Sequence, residues 1–207
     1  MYARSTSIRS NPDKLDDGIA YVTNEVLPTI GRSEGCIGLS MLTNRDDGRC
    51  IVTTSWRDEE SMRATADDAR TLRHHLEHTL GGEHSDVHEW EIAILHRERP
   101  AGDGAGAQVT WARITPDHVD DLLAAYRENL MPRLQELPGF CSLSMMVDRD
   151  SGRSASTICY DSREDMERGA GQATALRDQL SQALGITITD MAEFDLVLHH
   201  LRVPETV

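Results

Sequence analysis

The chain predicts an α+β fold: two ferredoxin-like βαββαβ repeats, packed sheet to sheet within one molecule. Three observations carry this expectation. Sliding the sequence on itself by 104 positions aligns Ala3–Pro100 with Ala107–Pro204 without a gap, and about 30 of the 98 pairs are identical, a sign of duplication. Within each copy, stretches of alternating apolar and polar residues are interrupted twice by helical periodicity. Between the copies lies AGDGAG (101–106), the composition of a flexible tether. The expected organisation is a first domain at 1–100, a linker at 101–106 and a second domain at 107–207.

The first strand is YARSTSIRS (2–10), matched by QVTWARI (108–114). NPDKLDD and TPDHVDD then supply an N-cap residue, a proline at the first helical position and acids in the first turn. All three favour a helix start. Ile19, Val22, Val26 and Ile30 recur at helical spacing, as do Leu123, Tyr126, Leu130 and Leu134. The second strand and its turn are nearly repeated, GCIGLSMLTNRDDGR against GFCSLSMMVDRDSGR. Ile37, Leu39 and Met41 (Cys141, Leu143 and Met145 in the second copy) are expected on one face. The Asp and Gly of RDDGR and RDSGR suit the reversal into the third strand.

The third strand ends at Trp56 in the first copy and at Tyr160 in the second. A second helix is expected over about 59–80 and 163–184, burying Met62, Leu72, Leu76 and Leu80 and their counterparts. Gly81 and Gly185 stand where a C′ glycine ends a helix. The last strand is expected to place Trp90, Ile92 and Ile94 on one face. Helices on one face of each sheet leave the other bare, so the copies should cover each other about an internal pseudo-twofold. Whether this pseudo-dimer pairs further, as a homodimer, is left open by the sequence.

Composition narrows the function. A formal charge of −14 opposes binding to nucleic acid, which rests on clustered Lys and Arg. Lys14 is the one lysine and sits beside carboxylates, which disfavours Schiff-base chemistry. No stretch approaches the ~20 apolar residues of a membrane span, and MYARSTSIRS lacks the apolar core of a signal peptide, so a cytoplasmic protein is expected. Cys36, Cys50, Cys141 and Cys159 form no C-x-x-C pair, and reduced thiols rather than a zinc site are expected. Nucleophile elbow, P-loop and GxGxxG motifs do not occur.

These residues resemble the antibiotic biosynthesis monooxygenase (ABM) family of the dimeric α/β-barrel superfamily. The carriers are GCIGLSML and LPGFCSLSMM, with the strand-to-helix junctions TTSWRDEESM and ICYDSREDM. The resemblance spans both copies and implies an intrachain version of the family's dimeric α/β barrel. It also implies a small apolar cavity between sheet and helices, able to hold a small aromatic or polyketide-like compound. Members of the family oxygenate phenolic or quinol-type substrates with dioxygen and neither metal nor flavin. A non-catalytic module binding a hydrophobic ligand or a partner protein is the alternative. A haem-degrading branch of the superfamily uses an Asn, a Trp and a His, whose positions fall near Ser5, near Thr65 and on His75.

Six side chains are the candidates. His75 is the catalytic candidate, as base or ligand, at the edge of the second helix's apolar face. His74 and His78 have metal-pair spacing but point away from that face, so no metal site is expected. Trp56 and Tyr160 could line the pocket mouths. Trp90 is read as facing the helices, where it could stack on a ligand. Trp111 stands where the first copy has Ser7 and is expected to fill part of the second cavity. Arg9 could anchor an anionic substrate, although an ion pair of Arg9 with Glu89, and of Arg113 with Glu193, is the preferred reading.

Overall fold

The computed structural model describes residues 1–82 and 85–201. Repeat one contributes strands β1 (Tyr2–Arg9), β2 (Cys36–Thr43), β3 (Arg49–Trp56) and β4 (Ser85–Arg97). Its helices are α1 (Leu15–Tyr21), α2 (Leu27–Ile30), α3 (Glu59–Ala64) and α4 (Ala66–Leu80). Repeat two contributes β5 (Gly106–Arg113), β6 (Phe140–Asp148), β7 (Arg153–Tyr160) and β8 (Thr187–Leu201), with α5 (Val119–Ala125), α6 (Met131–Leu134) and α7 (Arg163–Leu184). The βαββαβ order is therefore present twice.

The chain divides into two compact units, one formed by Met1–Trp90 and the segment from Leu196, the other by Glu91–Asp195. The division falls inside β4 and β8 rather than at 101–106. That stretch is short because β5 has already begun at Gly106. In the first unit the hydrogen-bonded strand order is β4–β1–β3–β2–β8, and in the second β8–β5–β7–β6–β4. The β1–β3 and β5–β7 ladders are antiparallel, with Thr6 opposite Val52 and Thr110 opposite Ser156. In each unit a strand from the other repeat's sequence extends the four-stranded sheet at the β2 or β6 edge.

Each unit has its own core. In the first, Ile8, Leu39, Met41, Cys50, Val52 and Trp56 from the sheet pack against Leu15, Val22, Val26, Ile30, Met62, Leu76 and Leu80 from the helices. The second core is built likewise around Leu143, Met145, Tyr160, Met166 and Leu176. A β-bulge at Cys36/Gly38 shifts the alternation of β2. Leu39 and Met41 accordingly join the core while Ile37 does not. The bulge at Phe140/Ser142 does the same in β6, bringing Phe140 rather than Cys141 into the core.

The expected punctuation is present. Gly81 and Gly185 end α4 and α7 with φ of 63° and 65°, the left-handed conformation that lacks a Cβ penalty only in glycine. In the β2–β3 turn, Asn44 Oδ1 accepts from the backbone N–H groups of Asp46 and Asp47, and Gly48 closes the turn with φ of 73°. Asp148 and Gly152 repeat this device.

Two features of the helices exceed the expectation. Val22–Val26 and Tyr126–Leu130 form π turns, and each is followed within two residues by Pro28 or Pro132. A proline has no N–H to give the carbonyl four residues earlier. The chain absorbs that gap by widening one turn, and Leu27 N–H donates to Val22 O. The second helix of repeat one is broken at Thr65, whereas α7 runs unbroken for 22 residues. At the break the Arg4 guanidinium takes Met62 O at 2.9 Å, and the Thr65 hydroxyl donates to the same carbonyl at 2.9 Å.

Candidate functional site

Repeat one carries a recess between its sheet and its helices. Strand alternation builds the floor: Arg4 lies opposite Thr54, and Thr6 opposite Val52, with Trp56 further along β3 on the same face. The roof comes from Val26 and Ile30 on the first helix and from Ala69, Leu72, Arg73 and Leu76 on α4. Positions 69, 72, 73 and 76 follow the i, i+3, i+4, i+7 rule and form one helix face. The recess encloses about 40 Å³ and extends over about 460 Å³ when counted out to open solvent. The closed part admits a few water molecules, since one needs roughly 10–15 Å³ of such space. A flat organic molecule would therefore need the side chains at the mouth to swing outward.

Two arginines and two threonines are the polar members of this lining. Arg4 is 6% exposed and fully engaged. Its Nη2 donates to Glu89 Oε1 at 2.8 Å and to Met62 O at 2.9 Å, and its Nη1 reaches Thr65 Oγ1 at 3.5 Å. Trp56 Nε1 donates to Thr54 Oγ1 at 3.1 Å, and that hydroxyl donates to Arg4 O at 3.3 Å. Arg73 is half-buried and has no hydrogen-bond or ion-pair partner among the described residues.

The corresponding recess of repeat two is smaller, enclosing about 20 Å³. Arg177, the counterpart of Arg73, lines it and is tied down. It donates to Gln108 Oε1 at 3.3 Å, to Thr110 Oγ1 at 3.2 Å and to Thr174 Oγ1 at 2.8 Å. Tyr126 crosses this recess where repeat one has Val22, and its hydroxyl donates to Ser156 Oγ at 3.4 Å. Burial pushes the Tyr126 phenol above its ordinary pKa, so it remains protonated at neutral pH. A separate groove of about 320 Å³ runs between α6 and α7, bordered by the exposed Asn129, Arg133, Gln179 and Ala183. It lies on the outer side of the helices, bridged by an Arg133–Gln179 hydrogen bond of 3.1 Å.

The six candidates fall in different places. Trp56 is fully buried and lines the repeat-one recess. His75 is exposed and outside that lining: two residues past Arg73, more than half a turn further round α4, it is turned to solvent. Trp90 sits on the opposite face of the sheet, a correction of the reading that it faces the helices. Its Nε1 donates to Ser5 Oγ at 2.8 Å, and Ser5 alternates away from Arg4 and Thr6. Trp111 is on the corresponding face of β5, edge-on to Phe194 with ring centroids 6.4 Å apart, and so does not fill the second cavity. Tyr160 is core, with its hydroxyl pushed up to about 12 by burial.

Arg9 is exposed at the end of β1, opposite Arg49. The ion pair to Glu89 forms from Arg4 instead, because Arg9 lies five residues further along β1, with its backbone carbonyl beside Gly82 before β4 begins, away from Glu89. None of the four cysteines forms a disulfide. Burial raises Cys50 to about 12 and is the main cause of a similar rise at Cys141. Both are thiols at neutral pH rather than nucleophilic thiolates.

The residues present do not fit a haem site. His75 points to solvent, Thr65 is occupied by Met62 O and Arg4, and Ser5 holds Trp90 on the other face. No cluster of three metal-ligating side chains occurs among the described residues. Nor, among them, is any helix long and apolar enough to cross a membrane.

Sequence reading overlooked Arg4 and Arg73. Arg4 could have been noticed as a charged residue on the helix-facing parity of β1, shared with Thr6 and Ile8. Arg73 lies inside the Ala69–Leu72–Leu76 stripe and is repeated as Arg177, a combination unlike a solvated surface arginine.

Residues 1–78, which contain the whole lining of this recess, match the model of the family described as antibiotic biosynthesis monooxygenase. The chain belongs to the ABM family. It is 40% identical over its full length to the uncharacterized protein Rv2557 of Mycobacterium tuberculosis, covering 92% of that protein. Among solved structures it is similar to an anthrone oxidase-like protein, at 14% identity and a TM-score of 0.67, over 99% of this chain and 94% of that one. A heme-degrading enzyme from Listeria monocytogenes shares the fold at 7% identity and a TM-score of 0.55, over 94% of this chain and 99% of that one. The fold class is thereby α+β, two ferredoxin-like βαββαβ repeats.

Proposed function

We propose that the chain is a cofactor-independent oxygenase of the ABM type, and that its working site is the repeat-one recess. The single observation behind this reading is that recess: an apolar slot bounded by Trp56, Val26, Ile30, Leu72 and Leu76, in the half that matches the family model. Its substrate would be small, flat and electron-rich, of the aromatic or polyketide-like class. In such chemistry the substrate loses a proton from an activated methylene, and the carbanion passes electrons to dioxygen. The methylene becomes a carbonyl, one oxygen atom is retained and the other leaves as water with the two hydrogens. The protein's part is to orient the substrate, exclude water and favour its deprotonated form.

The test is dioxygen uptake with a panel of anthrones and quinols. Uptake with at least one member is expected, together with its loss when Ala69→Phe fills the recess. His75→Ala should retain the rate, since that imidazole lies outside. No uptake across the panel would contradict the oxygenase reading.

One observation favours a second reading, a module that binds an apolar ligand without turning it over. The lining contains no His, Asp or Glu, so no side chain there is an ordinary general base. Native mass spectrometry of freshly purified protein that finds a bound compound, with no dioxygen uptake, supports this second reading.

A further inference from the structure

We infer that Arg73 is the counter-ion of the ligand: repeat one takes a flat apolar molecule carrying one oxyanion, and repeat two does not. The inference rests on the proposal that the repeat-one recess is the ligand site, and it names the ligand's chemistry.

The two copies supply an internal comparison. Arg73 and Arg177 occupy equivalent places on α4 and α7, and each lines the recess of its own repeat. Arg177 is satisfied by Gln108, Thr110 and Thr174. In repeat one the first and third of these acceptors are replaced by Arg4 and Arg70, cations that accept no hydrogen bond. Arg4 is already neutralised by Glu89 at 2.8 Å, and Arg70 pairs with Asp67 at 2.7 Å on the surface. Arg73 is left half-buried in an apolar recess with no counter-charge among the described residues. An arginine side chain stays cationic in proteins, and a partly desolvated cation with no partner is costly. A fold that keeps one beside an apolar slot is complementary to an anion attached to an apolar body.

The oxyanion can be a carboxylate or the phenolate or enolate form of an acidic hydroxyl. Both accept from a guanidinium in the same way. For an oxygenase substrate the second source has a chemical consequence: Arg73 would hold the molecule in the deprotonated form that reduces dioxygen. The lining's lack of a carboxylate or imidazole then ceases to be a gap, because the proton can leave to water.

Three probes separate these possibilities: 2-naphthoate, its neutral methyl ester and 4-nitrophenol, followed by Trp fluorescence or, for nitrophenol, by absorbance of the phenolate. Naphthoate is expected to bind about tenfold or more tighter than the ester, the scale of one charge-assisted hydrogen bond. The gap should vanish in Arg73→Leu, survive in part in Arg73→Lys and remain in Arg70→Gln, which removes a nearby surface charge. If the phenolate form is favoured too, added protein should increase the yellow fraction of nitrophenol at fixed pH, and Arg73→Leu should abolish the increase. No increase while naphthoate retains its preference assigns the site to carboxylates. Arg73→Leu should melt no lower than the parent, because it breaks no hydrogen bond or ion pair among the described residues. Equal binding of naphthoate and its ester overturns the inference but leaves the recess as a ligand site. If no probe binds at all, the recess reading falls and this inference falls with it.

Discussion

Arg4 sets the local geometry of repeat one. Its guanidinium spans from Glu89 to the Met62 carbonyl, pinning the α3–α4 break against β1 and holding open the recess end near Trp56. The two partners of the ion pair are unequally buried, 6% exposed for Arg4 and 43% for Glu89. Removing one or the other should therefore differ. Glu89→Ala strands a buried cation and should cost about 2–3 kcal/mol, below the full value for a buried pair because solvent screens the carboxylate. Arg4→Gln, which installs the residue found at this place in repeat two, should cost less, since Glu89 can turn to water. Urea denaturation of both variants checks the order, and a smaller loss for Glu89→Ala would contradict it. The sequence points to Arg9 for this pair, because Arg9 is identical with Arg113. Identity between copies marks what the repeats share, and the ion pair here belongs to one repeat.

Turns and helix ends were the most legible elements, because a single glycine or proline determines them through backbone sterics. They also allow a comparison of two glycines with like backbone and unlike surroundings. Gly81 (φ 63°) has only Asn11 Cβ near a built Cβ, at 3.8 Å, whereas at Gly48 (φ 73°) the Ser10 carbonyl oxygen stands 2.1 Å away. Gly81→Ala should cost about 1 kcal/mol, the conformational penalty alone. Gly48→Ala should cost at least about twice that, since β1 must shift to relieve the contact. Equal losses in urea denaturation would show that the turn yields freely. Less legible were the π turns and the Thr65 break: Pro28 signals the end of a helix, but the widened turn preceding it is how packing resolves the missing donor. The face of Trp90 was illegible for a different reason. Ala3 and Ser5 on one side of β1 are as buried as Arg4 and Ile8 on the other, and when both faces are covered, alternation cannot distinguish them.

At the scale of the molecule, duplication has preserved the scaffold and let the interiors diverge. The self-alignment, the βαββαβ order and the glycine-ended helices were all readable, since packing constrains them identically in both copies. The site was readable only in part. Trp56 is legible because it closes a strand, whereas His75 stands out only for its histidine chemistry and is turned to solvent. What distinguishes the repeats is a set of exchanges at equivalent positions: Val22 for Tyr126, Val52 for Ser156, Arg4 for Gln108. They leave repeat one with the larger and more apolar recess and the unpartnered arginine, while repeat two spends its polar groups on each other.

The central claim, that ligands enter repeat one between sheet and helices, is tested most directly by a methyl-resolved NMR titration with 2-naphthoate. Shifts concentrated at Val26, Ile30, Val52, Leu72 and Leu76, with Met145 and Leu122 unmoved, are the expected result. Shifts centred on Met145 and Leu122, or none at saturating ligand, would contradict it.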